Sequence, residues 1–177
     1  MSNITLVCYG TRYGSTAEVA AEIAKTIEES GGAVEVVDLK KTKPSRPVSE
    51  YSLVVVGTGI QAGKWTKEPA KFLKDNAGSL AGTKVALFVV CGYAANPVKC
   101  SEAQSEYLDK VVASYPSVSF IKTGLFGGVF DFTKYNMAVK TIIKMMVWQQ
   151  SGAQPPEKID FRDWDKIREW ARSLVLS

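Results

Sequence analysis

Between residues 10 and 16 the chain reads Gly10-Thr11-Arg12-Tyr13-Gly14-Ser15-Thr16, with three aliphatic hydroxyls, a guanidinium and two glycines in a single short loop. A loop of this kind opening into a helix suits a phosphate dianion. The first backbone N–H groups of a helix have no partner within it, and the positive end of its dipole lies there. Thr11, Ser15 and Thr16 add hydroxyl donors, and Gly14 lets backbone come close to the oxygens. A hydroxyl-rich cap with an incidental glycine would read similarly. The position between an apolar strand and an amphipathic helix favours the phosphate. The loop lacks the Gly-Lys-Ser/Thr of a Walker A motif and the Gly-x-Gly-x-x-Gly of dinucleotide folds, so one terminal phosphate is the expected ligand group.

Two further loops could hold a flat ring beside that phosphate. One reads Gly57-Thr58-Gly59-Ile60-Gln61-Ala62-Gly63-Lys64-Trp65, the other Cys91-Gly92-Tyr93-Ala94-Ala95-Asn96-Pro97. Their glycines expose backbone amides, and Trp65 and Tyr93 offer aromatic faces. Trp65 has a second reading, as a residue that staples the next helix. Cys91 reads as a packed thiol at a strand end.

Other chemistries lack their residues. The chain has no histidine and three scattered cysteines, Cys8, Cys91 and Cys100, so no metal site and no imidazole base are expected. Cys8 and Arg12 are spaced Cys-x3-Arg rather than the Cys-x5-Arg of a thiol phosphatase. Cys8-Tyr9-Gly10 provides no carboxylate for a phosphoacceptor.

Elements that could position these loops are legible around them. Five apolar runs, Ile4–Tyr9, Ala33–Leu39, Ser52–Gly57, Lys84–Cys91 and Val118–Leu125, read as strands. Leu53–Val56 and Val85–Val90 are apolar without alternation, as in a parallel sheet covered on both faces. Helices are predicted at Thr16–Ser30, Thr66–Asn76, Ser101–Ser114 and Asp163–Leu176. Pro69 falls in the first turn of the second, and a capping box from Ser101 to Gln104 opens the third. The order is that of a doubly wound α/β fold, a five-stranded parallel sheet with strand order 2-1-3-4-5, formed by residues 1–177 as one domain. Ligands of such sheets sit beyond the strand carboxyl ends where the order reverses, which is where the three loops lie. The Lys40–Pro47 stretch reads as a solvated crossover loop.

The chain resembles the flavodoxin family along essentially its whole length. Thr11–Thr16 looks like that family's phosphate loop, with Ser15 where Asn is frequent, and the two later loops look like its isoalloxazine loops. Arg12, the Gly63-Lys64-Trp65 run, an extra helix carrying Ile143-Lys144 and the closing Asp163-Trp164 resemble the branch containing menaquinone-dependent protoporphyrinogen dehydrogenases. The resemblance implies FMN as cofactor. Thr11, Arg12, Tyr13, Gly14, Ser15 and Thr16 would hold its phosphate. Thr58, Gly59, Ile60, Gln61, Gly63, Lys64, Trp65, Cys91, Gly92, Tyr93 and Asn96 would surround the rest. The flavin would carry the redox chemistry, with no catalytic side chain. Gln61, Ala94-Ala95-Asn96 and Phe126–Phe130 stand where a carboxylate-bearing porphyrinogen would want basic partners, so the organic donor stays open.

Two functions follow as expectations. One is an FMN oxidoreductase acting between an organic donor and a quinone; the other is a diffusing electron carrier between larger redox enzymes. Carrier flavodoxins are typically acidic, whereas this chain is net +4, which favours the enzyme. Nucleic acid is not an expected partner. A helix over Thr133–Gln149 is surplus to the basic fold. Tyr135, Val139, Ile142, Ile143 and Met146 form its expected core stripe, and Asn136, Lys140 and Lys144 lie opposite. Met137, Met145, Val147 and Trp148 then fall on or beside the polar side, an excess of apolar surface that calls for a peripheral membrane contact, a homodimer partner or cover from Phe126–Phe132. With no signal peptide at Met1–Ile4 and no run long enough to span a bilayer, the expected location is the cytoplasm, at the membrane periphery if the helix docks there.

Overall fold

A computed structural model describes residues 3–152 and 157–176. Five parallel strands form the sheet: β1 (Ile4–Gly10), β2 (Ala33–Asp38), β3 (Leu53–Gln61), β5 (Lys84–Val90) and β6 (Ser119–Phe126). Their spatial order is β2-β1-β3-β5-β6, the predicted 2-1-3-4-5 winding. The unbroken apolar runs have the predicted consequence: Val54, Val55, Val56, Leu87, Phe88 and Val89 are fully buried, alternate residues serving opposite faces.

Helices cover both faces. On one side α1 (Ser15–Glu29) and α6 (Trp164–Val175) pack side by side, through Val19, Ile23 and Ile27 and through Ile167, Trp170 and Leu174. Trp170 is buried against Phe126, ring centroids 5.6 Å apart, and Trp164 packs half-buried against the same cluster. On the other side lie α2 (Lys67–Leu80), α3 (Cys100–Gln104) and α4 (Lys110–Ser114). The π-helical turn Ser105–Asp109 joins α3 to α4 as one helix. Its predicted capping box does not form, because the N-cap is Lys99, without a side-chain bond. Asn96 orders the approach instead, accepting from the Val98 and Lys99 N–H groups at 2.9 and 3.2 Å.

Two regions depart from the expected loops. Strand β3 runs on to Gln61 and turns back through Ala62-Gly63, both at positive φ, into β4 (Lys64–Trp65). The Gly57–Trp65 segment is therefore mostly hairpin. Beyond β6, β7 (Val129–Asp131) pairs antiparallel with β8 (Lys158–Asp160), and α5 (Met137–Ser151) stands between them in sequence. This helix begins later than predicted, because Phe132–Lys134 forms a 3-10 turn and Asn136 caps α5 by accepting from the Val139 N–H. Val139 and Ile143 of its expected core stripe are half-buried, but Ile142 is 59% exposed. The side chains of Met146, Val147 and Gln150 lie outside the described residues.

Candidate functional site

The carboxyl ends of β1, β3 and β5 meet at one edge of the sheet, and the loop after β1 turns there into α1. Gly14 is the N-cap, at φ 100°, a conformation that disfavours a side chain. Its own N–H is satisfied by the Thr11 hydroxyl at 2.9 Å. No side chain caps the helix, and the first intrahelical bond is from the Glu18 N–H to the Gly14 carbonyl. The N–H groups of Ser15, Thr16 and Ala17 therefore have no acceptor within α1. Thr11, Arg12, Ser15 and Thr16 line a cavity of about 110 Å³ at this point, with Gly59, Ile60 and Thr66 across from them. The loop is fit to bind an anion.

A second cavity, of about 250 Å³, adjoins the first, with Ile60, Cys91, Gly92 and Phe130 common to both. Ala62, Gly63, Tyr93 and Tyr107 complete it. Each alone is smaller than the roughly 300–1,000 Å³ of typical small-molecule sites. They share that wall, with an anion cradle on one side of it and the aromatic side chains of Tyr93 and Tyr107 on the other.

Burial favours the neutral forms of three ionisable groups of this site. Burial pushes the Cys91 thiol up, as the packed-thiol reading expects. Burial likewise raises the Tyr107 hydroxyl, and raises Tyr135 with help from Tyr13 and Asp131. The cations at the rim are Arg12, over the Tyr13 ring at 5.3 Å, and Lys134, whose Nζ donates to the Tyr13 carbonyl at 3.2 Å. Among the described residues no group of three or more His, Cys, Asp or Glu side chains could hold a metal ion. Side chains of this kind can bind and orient a charged, planar group, and they offer no general base.

The predicted site residues divide into those brought together and those turned away. Thr11, Arg12, Tyr13, Ser15, Thr16, Gly59, Ile60, Cys91 and Gly92 line the first cavity, and Gly63 and Tyr93 the second. Gly14 shapes the loop without lining it. Thr58 is buried behind the site, its Oγ1 2.9 Å from that of Thr66 and accepting from the Thr66 N–H at 3.1 Å. Gln61 is exposed at the hairpin, and Asn96 is occupied by its own turn. Lys64 and Trp65 face a different groove, between the hairpin and the α3–α4 helix. There the Trp65 indole donates to the Tyr107 carbonyl at 2.7 Å. That bond ties the indole to the α3–α4 helix rather than to the next helix named by the staple reading, and Trp65 lines neither of the two cavities. Gly57, at the start of the loop that ends at Trp65, makes room for Phe88, whose ring would lie 2.0 Å from a Cβ there.

Thr66, Tyr107, Phe130 and Tyr135 line the site without having been singled out for it. Phe130 crosses Gly92 so closely that a Cβ at that glycine would lie 2.4 Å from its ring. Gly127-Gly128 before Phe130 was the available signal, a backbone permitted close approach at the sheet edge. Tyr135 meets Tyr13 edge to face at 4.7 Å. It lies in a segment that reads as surplus to the basic fold, and nothing local marks it as a wall of the cavity.

A family model described as "Flavodoxin domain" matches residues 6–156. The chain is 23% identical over 175 residues to the protoporphyrinogen IX dehydrogenase [quinone] of Escherichia coli strain K12, covering 97% of this chain and 94% of that enzyme. Among solved structures it is similar to oxidised flavodoxin 1 from Bacillus cereus, with a TM-score of 0.61 at 16% identity, covering 98% of this chain and 97% of that one. It is also similar to a short-chain flavodoxin associated with a non-canonical PDU bacterial microcompartment, with a TM-score of 0.62 at 12% identity and the same coverage.

Proposed function

The chain belongs to the flavodoxin domain family, and on that premise we propose that it is an FMN-dependent oxidoreductase that passes electrons from an organic donor to a quinone-type acceptor. FMN supplies the redox chemistry when bound. The observation that carries the reading is the pairing of an uncapped helix N-terminus with an adjoining aromatic-walled cavity. The free N–H groups of Ser15, Thr16 and Ala17, the hydroxyls of Thr11, Ser15 and Thr16, and Arg12 fit a phosphate dianion. Ile60, Tyr93, Tyr107 and Phe130 fit a planar tricyclic ring, exclude water from it and fix its orientation.

The quinone acceptor rests on the likeness to the Escherichia coli enzyme along both chains, and on net charge. A chain at +4 is a poor copy of the acidic surface by which carriers dock. Tyr93, 52% exposed at the mouth, leaves an edge at which a small acceptor can approach. The electron-carrier reading is the competitor, favoured by the two flavodoxin likenesses in fold.

Reductive titration of the FMN-loaded protein, followed by mixing with a soluble quinone analogue, tests both. The oxidoreductase is expected to be reduced in a single two-electron stage and to be reoxidised rapidly by the quinone. Two well-separated one-electron stages with no reaction toward quinone would establish the carrier instead.

A further inference from the structure

We propose that the outward face of α5 is a docking surface for an anionic lipid bilayer, presenting the mouth of the cofactor cavity to the membrane. Of the side chains described on this helix, none is buried. Met137 is 78% exposed, Ile142 59%, Met145 58% and Trp148 64%. At 100° per residue these four fall within about 140° of one another, an apolar stripe interrupted by the exposed Thr141 and Gln149, on the side away from the half-buried Val139 and Ile143. The helix therefore turns an apolar face to solvent. Exposed apolar area of this kind marks an interaction surface.

Charge identifies what the surface meets. From Phe132 to Pro156 the sequence has no Asp or Glu, while Lys134, Lys140 and Lys144 lie within it. Lys140 and Lys144 flank one margin of the stripe, one turn apart, and neither makes an ion pair among the described residues. A bilayer interface satisfies both features together. Met, Ile and Trp enter the acyl boundary while the lysine stems carry their ammonium groups back to headgroup phosphates. A second copy of the chain would cover the stripe but would bring the same lysines together across a two-fold axis with no opposing carboxylate. The helix lies on the membrane rather than across it: among the described residues no helix is long and apolar enough to span one.

The cavity is carried to that surface by the residues just before α5. Tyr135 lines the site and contacts Tyr13, and Lys134 is bonded to the Tyr13 carbonyl. A bilayer against α5 therefore brings the rim of the cavity within reach of a lipid-dissolved acceptor. The surface itself stands on α5 alone and does not depend on what the cavity binds.

The test is co-sedimentation of the full chain, with and without FMN, on vesicles of phosphatidylcholine alone and of phosphatidylcholine with phosphatidylglycerol, with light scattering on the same samples. The expected result is a monomer that binds the anionic vesicles, with or without FMN. Binding should fall at least about tenfold in 0.5 M salt and in the double variant Lys140→Glu/Lys144→Glu. Trp148→Ser should weaken binding without altering the thermal midpoint. A dimer that ignores vesicles, or a monomer that ignores vesicles while Trp148→Ser lowers the midpoint, would overturn the proposal. Because sedimentation is read without turnover, failure of the quinone reading leaves this outcome unaffected.

Discussion

Thr16 is 1% exposed yet lines the anion cavity, and its hydroxyl lies close to Gly59, where a Cβ would sit 3.1 Å from it. A hydroxyl in that position is useful only toward a ligand or its own turn. Thr16→Ala is expected to weaken FMN binding by about 1–3 kcal/mol, the cost of leaving a charged acceptor one donor short, while riboflavin affinity stays nearly constant. Equal losses for the two ligands, measured by fluorescence titration, would remove Thr16 from the phosphate. Gly92 makes a sharper case. Gly92→Ala drives a methyl into Phe130, so FMN affinity should fall at least about tenfold. Gly92→Ala combined with Phe130→Leu should recover much of it, because the two residues share one space. Trp65→Phe should behave differently from either. It loses the bond to the Tyr107 carbonyl and about 1 kcal/mol of stability, with little change in the quenching of bound flavin.

At the scale of elements, what was legible in the sequence was what local pattern determines. Leu53–Val56 and Val85–Val90 are apolar without alternation, which only strands covered on both faces tolerate, and the strand order followed from the order of elements. The site's anion end was legible for the same reason: Thr11–Thr16 is continuous in sequence and opens a helix. The aromatic end was not. Trp65 is turned by a bond to a carbonyl 42 residues away, and that carbonyl sits in the π-helical turn Ser105–Asp109, which carries no local signature. Phe130 is held by the β7–β8 pairing, which joins two three-residue strands separated by the whole of α5.

That pairing is fastened to α1 by Arg162, just after β8. Its side chain is 5% exposed, donates to both Asp160 oxygens at 2.9 and 2.6 Å and to Glu18, and stacks on Trp164 at 4.6 Å. Glu18 lies in the first turn of α1, whose N–H groups face the anion cavity. Arg162→Met should therefore cost about 1–3 kcal/mol in urea unfolding, less than for a fully buried pair because both carboxylates reach solvent. It should also weaken FMN binding by way of α1, although Arg162 does not line that cavity. An unchanged FMN affinity would show that the fastening serves stability alone.

For the whole molecule, the absence of histidine makes the pH dependence of stability readable. No ordinary side chain titrates between about pH 5.5 and 8. Stability should be level there and decline at both ends for identifiable reasons. Hydrogen bonds from Arg162 hold the Asp160 carboxyl below its usual range, and bonds from Thr133 do the same for Asp131. Their contribution is present above the unfolded value of about 3.9 and is lost as pH falls through the depressed folded values. At the alkaline end the thiols act with the opposite sign. Burial raises Cys8 strongly and raises Cys91, so the folded chain keeps protons that the unfolded chain releases above about pH 8.5. Their contribution is complete below that value and is lost as pH rises toward the folded one, at up to about 1.4 kcal/mol per pH unit for each thiol. The raised Tyr9 and Tyr51 hydroxyls join the decline above about pH 10. Urea unfolding from pH 4 to 10 should therefore show a plateau and then a fall beginning near 8.5. Cys8→Ala should lower the plateau, since it opens a cavity in the core, and should also make the alkaline slope shallower by about one proton. A slope that Cys8→Ala leaves unchanged would place the titrating thiol at Cys91 or outside the buried sheet altogether.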